Sequence, residues 1–550
     1  MSLVSKAFSD IVTFSRSSNA TRIGPTGRVE YAPHNLYTYS EDFSNADWSK
    51  TGTTVTSNTT AAPNGTVTAD TIAIGTGTSA LVQSKIGLIA GARYDVSFYF
   101  KKITATGEVI VRNTEDGSYG RWSINLSLLG SGWERITRTH PAVTITAEFV
   151  ASPSGIVGAA LYGGSSGISF YLWGAQLAVG PYPLDYTPTT SAAVYGPRFD
   201  YDPVTLAARG LLIEEQRTNL QIYSEDFSSG WSANNVTLSS NAIASPGGTA
   251  TADKLIADST LAGHWLYYGF GSTSGSHTWS VYAKAGEYSW LGLNAYVGGN
   301  NITSFDLTNG VIGTNAAGNT ATIAPVGNGW YRCTVSRTGG AATYTELRIG
   351  NADNSFSFSG NGSGGIYIWG AQLEAGSFAT SYIPTVAASV TRSADVASVN
   401  TLSPWFNSVE STLYAEGSYI GLTSGVTQTL AGLTAPVTSD YLLICKSSGT
   451  GQNFAEVLTS ASPVASFNLG SPSVSTIYKI ALAAKANDFA AVQNGGSVST
   501  DTSGAMPSGI ASLGIGYLVA GAPLQLNGHI RRIAYYPRRL TNAELQSLTS

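Results

Sequence analysis

Aromatic side chains set beside short polar ones, with few charges around them, are the residue types that recognise carbohydrate. A sugar ring offers its C–H face to an aromatic ring and its hydroxyl rim to amides and imidazoles. One stretch of the chain concentrates that combination: His264, Trp265, Tyr267 and Tyr268, then Tyr288, Trp290 and Asn294. Trp122 is a further, isolated candidate. The rings are the expected stacking surfaces, and His264 and Asn294 the expected partners for hydroxyls. The competing expectation for each aromatic is an ordinary core or subunit-interface position.

Catalytic patterns are thinner. Glycoside hydrolysis needs two carboxylates about 5–10 Å apart, and the nearest local pairs are Asp200 with Asp202 and Glu214 with Glu215. Adjacent strand residues face opposite sides, which disfavours the second pair. Residues 163–167 match Gly-x-Ser-x-Gly formally, but in a glycine-serine stretch with no strand-to-helix context. The five histidines lack metal-ligand spacing, and no glycine-rich nucleotide motif stands between a strand and a helix. The chain reads as a non-enzyme.

The elements that must position these residues follow from composition and repetition. A chain of 550 residues exceeds one ordinary core and implies roughly three or four. Charged residues are 11% of the total, against roughly a quarter in typical soluble domains. The surface must therefore be polar through hydroxyls and amides. A net charge of -5 gives no footprint for nucleic acid or anionic membrane. Cys333 and Cys445 are far apart and do not form a disulfide framework. No apolar leader follows Met1, and no uncharged apolar run reaches ~18 residues. A surface suited to extracellular contact without an export signal is expected of a protein that leaves the cell inside an assembled particle, a virion component.

The chain contains an internal duplication. Asn35-Leu36-Tyr37-Thr38-Tyr39-Ser40-Glu41-Asp42-Phe43 with Trp48 returns 184 residues later as Asn219-Leu220-Gln221-Ile222-Tyr223-Ser224-Glu225-Asp226-Phe227 with Trp231. Thr68-Ala69-Asp70 returns as Thr251-Ala252-Asp253, Gly132-Trp133 as Gly329-Trp330, and Trp173-Gly174-Ala175-Gln176-Leu177 as Trp369-Gly370-Ala371-Gln372-Leu373. Residues 35–189 and 219–385 are thus copies of one module. Short period-two runs such as Tyr94-Asp95-Val96-Ser97-Phe98, punctuated by Gly, Asn and Ser, read as half-buried antiparallel strands. Each copy is expected to be a jelly-roll β-sandwich, with the duplicated Trp133, Trp173, Trp330 and Trp369 in its core. Arginine-bearing segments flank copy one, residues 1–34 as an N-terminal attachment segment and 190–218 as a connector. They are expected to pack together with copy one inserted between them. Thr541 with Glu544 three residues on forms a capping box that starts a short C-terminal helix through Leu545 and Leu548.

The repeated Tyr-Ser-Glu-Asp-Phe and Trp-Gly-Ala-Gln-Leu signatures resemble the carbohydrate-binding-like modules of bacteriophage tail and head fibre proteins, and Gly210 to Asn219 looks like the segment preceding such modules. Gly528 to Leu548 is similar to the last strand of laminin-G or concanavalin-like lectin domains, which makes residues 386–550 a lectin-like sandwich without a visible calcium-lectin ligand pattern. The resemblance implies an all-β chain: tandem jelly-roll sandwiches followed by a lectin-like sandwich. It also implies structural calcium at Glu41, Asp42, Glu225 and Asp226, and a homotrimer. The resulting expectation is a non-catalytic virion adhesin that binds host surface polysaccharide and other virion proteins, with copy two or the C-terminal sandwich as the contact and the N-terminal region as the anchor. The alternatives are a structural decoration protein, whose unduplicated tryptophans would be buried, and a capsule depolymerase with a site formed between subunits.

Overall fold

A computed structural model describes residues 7–75, 79–113, 121–147, 149–150, 152, 156–163, 168–294, 301–339, 341–437, 439–518 and 524–550. The residues after Met1 that bear on export, and residues 164–167 of the Gly-x-Ser-x-Gly match, lie outside the described residues. The chain is nearly all β. It divides into two compact units, Tyr31–Gly196 and the combination of Met1–Glu30 with Pro197–Ser550.

The unit Tyr31–Gly196 is copy one. Two six-stranded antiparallel sheets enclose a core containing Phe98, Phe100, Val111, Trp122, Leu161 and Phe170. Copy two repeats the plan with two six-stranded sheets around Trp231, Trp279, Leu293, Phe305 and Leu347. The duplicated residues hold this shared frame together. Asn35 donates through Nδ2 to the carbonyls of Ala175 (2.8 Å) and Thr187 (2.9 Å) and accepts at Oδ1 from the amides of Tyr37 and Leu177. Asn219 does the same with Ala371, Ile383, Gln221 and Leu373. Asp70 accepts from the amides of Phe43 and Asn58, and Asp253 from those of Phe227 and Asn241. In Trp-Gly-Ala-Gln-Leu the glycine is a β-bulge: Gly174 and Gly370 have φ of 62° and 65° where the register with the neighbouring strand shifts. A Cβ there would come within 2.8 Å of the ring of Tyr99 or Tyr282. Of the duplicated tryptophans, Trp173, Trp330 and Trp369 are buried, while Trp133 is half-buried and donates from Nε1 to the carbonyl of Ala61.

The third sandwich has two seven-stranded sheets. It takes strands from segments far apart in the chain. Thr13–Ser15 pairs with Val396–Val399 at the edge of one sheet, and the hairpin of Phe199–Tyr201 and Ala208–Ile213 pairs through Gly528–Tyr536 into the other. The segments expected as an attachment arm and a connector are therefore strands of this sandwich, and its extent is not residues 386–550 alone. Their alternation explains the recruitment: Leu211 and Ile213 are buried in its core while Gly210 and Leu212 face the other way. Both module copies are thus insertions between strands of the C-terminal sandwich. The capping box forms as expected: Thr541 Oγ1 accepts from the Glu544 amide, Glu544 Oε2 accepts from the Thr541 amide, and the helix Asn542–Thr549 lays Leu545 over Ala481, Ala483 and Ala490.

Where the N-terminal segment, the hairpin and the exit from copy two meet, a charge cluster is sealed from solvent. Arg198 binds Glu214 (2.6 Å) and Asp395, Arg16 binds Asp395 (2.8 Å), and Arg392 binds Glu214 (2.6 Å), with every one of these side chains fully buried. Glu214 also accepts from the amide and hydroxyl of Ser381. Burial alone would raise its pKa, but Arg392, Arg198 and Ser381 hold its carboxyl well below the usual carboxylate range. The other acids weighed as catalytic pairs are likewise engaged separately. Glu215 pairs with Arg217, and Asp200 accepts from His529 Nε2 (2.8 Å) and the Ile23 amide. Asp202 caps the turn at Val204 and Thr205.

Candidate functional site

In copy two the strand Trp265–Ser274 pairs with Ala341–Gly350, which pairs in turn with Trp290–Asn294 and then Thr303–Asp306. Side chains alternate between faces along a strand, and the fully buried Leu266, Leu347, Leu291, Leu293 and Phe305 fix which face is core. Trp265, Tyr267, Trp290 and Asn294 therefore share the opposite, outer face. Tyr344, Glu346 and Arg348 join them from the strand between, with Trp265 opposite Arg348 and Glu346 flanked by Tyr267 on one side and Asn294 on the other. Ser232 and Asn234 add short polar groups beside Tyr267 and Trp265.

The face combines rings and polar groups at contact distance. The Arg348 guanidinium lies 5.0 Å from the Trp265 ring centre and binds the Glu346 carboxylate. Tyr267 is 40% exposed, and Gly269 next to it leaves open space above the sheet. Trp265 and Trp290 are half-buried because their rings lie down over glycines: a Cβ on Gly263 would come within 2.4 Å of the first ring and one on Gly313 within 2.6 Å of the second. Asn294 donates from Nδ2 to the Tyr344 hydroxyl (3.3 Å), and burial together with the nearby Glu346 raises the pKa of that phenol.

The remaining expected contact residues are placed elsewhere. His264 and Tyr268 fall on the inner side with Leu266. His264 is fully buried against Phe358 with its two nitrogens facing the carbonyls of Asn235 and Phe358, and Tyr268 packs on Trp231. Tyr288 closes an edge of the core 5.0 Å from Phe358. Trp122 sits inside copy one, edge-on to Phe149. These four are packing residues. Conversely, Tyr344, Glu346 and Arg348 were not singled out from sequence. Their signal is the alternation Tyr344-Thr345-Glu346-Leu347-Arg348-Ile349, two opposite charges on one face of a strand in a chain with few charges.

The two copies differ at this face. Leu81, Leu161 and Val111 of copy one occupy the core register of Leu266, Leu347 and Leu293. Counting outward from them, Ala80 and Val82 stand where copy two has Trp265 and Tyr267, Ala160 and Tyr162 stand for Glu346 and Arg348, and Glu108 stands for Trp290. The frame is duplicated and the aromatic face is not.

The carboxylates expected to hold calcium have separate structural tasks in both copies. Asp42 accepts from the amide and hydroxyl of Ser44 and the amide of Asn45, and Asp226 from Ser228 and Ser229, so each closes a turn. Glu41 and Glu225 turn away from the aspartates and accept from the hydroxyls of Tyr186 and Tyr382 (3.1 Å each). Burial pushes the Glu225 carboxyl up to about 7 against the hydrogen bond of Tyr382, and burial raises Glu41 in the same direction. A hard cation needs several converging oxygens, and among the described residues no group of three or more His, Cys, Asp or Glu side chains could hold a metal ion.

A cavity of about 490 Å³ lies away from this face, between the other sheet of copy two, the Phe199 to Ile213 hairpin and the third sandwich, beside Arg332, Thr334, Asp200 and His529.

No family model matches the chain, and no curated protein matches it. Among solved structures it is similar to the CBM22-1–CBM22-2 tandem domain of Xyn10C from Paenibacillus barcinonensis, at 9% identity and a TM-score of 0.20, covering 63% of this chain and 98% of that one. It is also similar to the LG1-3 region of the laminin alpha2 chain, at 10% identity and a TM-score of 0.15, covering 85% of this chain and 96% of that one. Scores this low transfer neither fold nor function.

Proposed function

We propose that the protein is a non-catalytic adhesin of a virus particle that binds host-cell polysaccharide through the outer face of copy two. The observation that carries this reading is the grouping of Trp265, Tyr267 and Trp290 with Glu346, Arg348 and Asn294 on one outer sheet face, with Tyr267 exposed on it, in a chain otherwise poor in charge. Rings that stack on C–H faces and polar groups that take hydroxyls are what a glycan needs. A single such face binds weakly. A homo-oligomer, with a trimer favoured, would raise effective affinity by ~10² to 10⁴ without new contacts. The third sandwich, which incorporates both the N-terminal strand and the hairpin between the copies, is the platform that carries the contact module and faces the other virion proteins.

A second reading fits copy one. Trp122 is buried and the aromatic face is replaced by Ala80, Val82 and Ala160, so copy one serves as a structural spacer, the decoration role, within the same molecule.

The test is binding of fluorescently labelled protein to capsulated host cells before and after enzymatic removal of the capsule. Binding that disappears with the capsule supports the adhesin. Equal binding to stripped cells, or no binding to any capsulated host, sinks it.

A further inference from the structure

Resting on that reading, the structure also bears on the class of sugar. Glu346 is 5% exposed and Asn294 2%. They stand directly opposite each other on neighbouring strands, with Tyr267 on the far side of Glu346. Glu346 Oε1 is held by Arg348, and Oε2 has no partner among the described residues. Asn294 Oδ1 is buried and accepts no hydrogen bond from the described residues, although its amide nitrogen is used by Tyr344. A buried acceptor left without a donor is costly, and here Asn294 Oδ1 is one, beside the unpartnered Oε2 of Glu346, at the foot of an aromatic wall.

We infer that Glu346 and Asn294 form the polar centre of the site and make it select neutral sugars that present two adjacent hydroxyl groups, against sugars carrying carboxylate or sulfate. Two neighbouring acceptors call for two neighbouring donors, and the adjacent hydroxyls of a pyranose supply them while its C–H face rests on Tyr267. Among the described residues the one guanidinium on the face, Arg348, is already neutralised by Glu346 and stacked on Trp265. An anionic ligand would therefore find, among the described residues of the face, no unpaired cation to answer its charge. Neither acceptor exists in copy one, where Ala160 and Arg112 occupy these positions.

The experiment is affinity electrophoresis of the full chain through gels containing a neutral galactomannan or glucan, or alginate as the uronic-acid polymer. Wild type is expected to be retarded by a neutral polymer at least about tenfold more strongly than by alginate. Glu346→Gln is expected to lose about tenfold in affinity for the neutral polymer and most of the discrimination. Asn294→Ala loses comparable affinity and keeps the discrimination. Wild type that prefers alginate overturns the inference whether or not the variants fold, and near-UV circular dichroism reports their folding. Tyr267→Ala separates the two levels. If it abolishes retardation while Glu346→Gln changes nothing, the selectivity inference alone fails; if Tyr267→Ala binds like wild type, or wild type is retarded by none of the polymers, the glycan-binding reading fails with it.

Discussion

Replacing Arg198 with methionine removes the guanidinium that bridges Glu214 and Asp395 in the sealed cluster, and with it bonds to the Thr21 carbonyl and the Ser381 hydroxyl. Deleting one member of a buried ion pair costs about 3–5 kcal/mol, because the remaining charge stays desolvated. Here Glu214 keeps Arg392 and Asp395 keeps Arg16, so the lower end applies: about 3 kcal/mol, or a little over a hundredfold in an opening equilibrium. Because the cluster joins the N-terminal strand, the hairpin and the exit from copy two, the loss is confined to the unit that contains them. Native-state hydrogen exchange read by mass spectrometry resolves this. Protection in Phe199–Tyr201, Ala208–Ile213 and Val396–Val399 should fall by about a hundredfold, while Arg93–Lys102 in copy one is unchanged. The pH dependence follows from Glu214. Its folded pKa is depressed, so the cluster's contribution is full above the unfolded carboxyl value of 4.5 and is lost as pH falls below it towards the folded value. A change under about 1 kcal/mol, or equal deprotection of copy one, would refute the view that this cluster is the local clamp.

Glu225, with its pKa raised from 4.5 to about 7 by burial, should work in the opposite direction. The folded state binds the extra proton, so stability falls as pH rises from 4.5 through 7, and Glu225→Gln should remove a loss of about 2 kcal/mol from that window in chemical denaturation of copy two. Gly370→Ala places a Cβ on a residue at φ 65° and 2.8 Å from Tyr282, and should cost about 1–3 kcal/mol; Gly174→Ala should cost copy one a similar amount, since the bulge is the same.

What was legible in the sequence was whatever local pattern or repetition can carry. The duplication, the all-β class and the capping box at Thr541 and Glu544 needed only spacing. The aromatic run was half legible. Period two says that residues 264, 266 and 268 share a face and 265 and 267 the other, and Leu266 names the inner one, yet His264 and Tyr268 were grouped with Trp265 by proximity in sequence. Trp122 has no duplicate in copy two, but a tryptophan between Arg121 and Ser123 at core register packs inward whether or not the other copy keeps it. Glu346 and Arg348 were missed because their meaning depends on a strand pairing across some 80 residues. The recruitment of Thr13–Ser15 by Val396–Val399 spans more than two thirds of the chain and has no local trace. The calcium expected at the carboxylates beside Phe43 and Phe227 came from the resemblance and not from any ligand set in the sequence. Adjacency in sequence sent Glu225 towards Tyr382 and left Asp226 on its own turn.

The measurement that bears most directly on the outer face of copy two is a capsule-binding isotherm for the Trp265→Ala/Tyr267→Ala double variant, run beside wild type and beside Val82→Ala at the matching position of copy one. Loss of about a hundredfold in affinity for the double variant, roughly tenfold per ring, with Val82→Ala equal to wild type, is the predicted result; a double variant that binds the capsule as tightly as wild type would contradict the assignment of that face as the contact site.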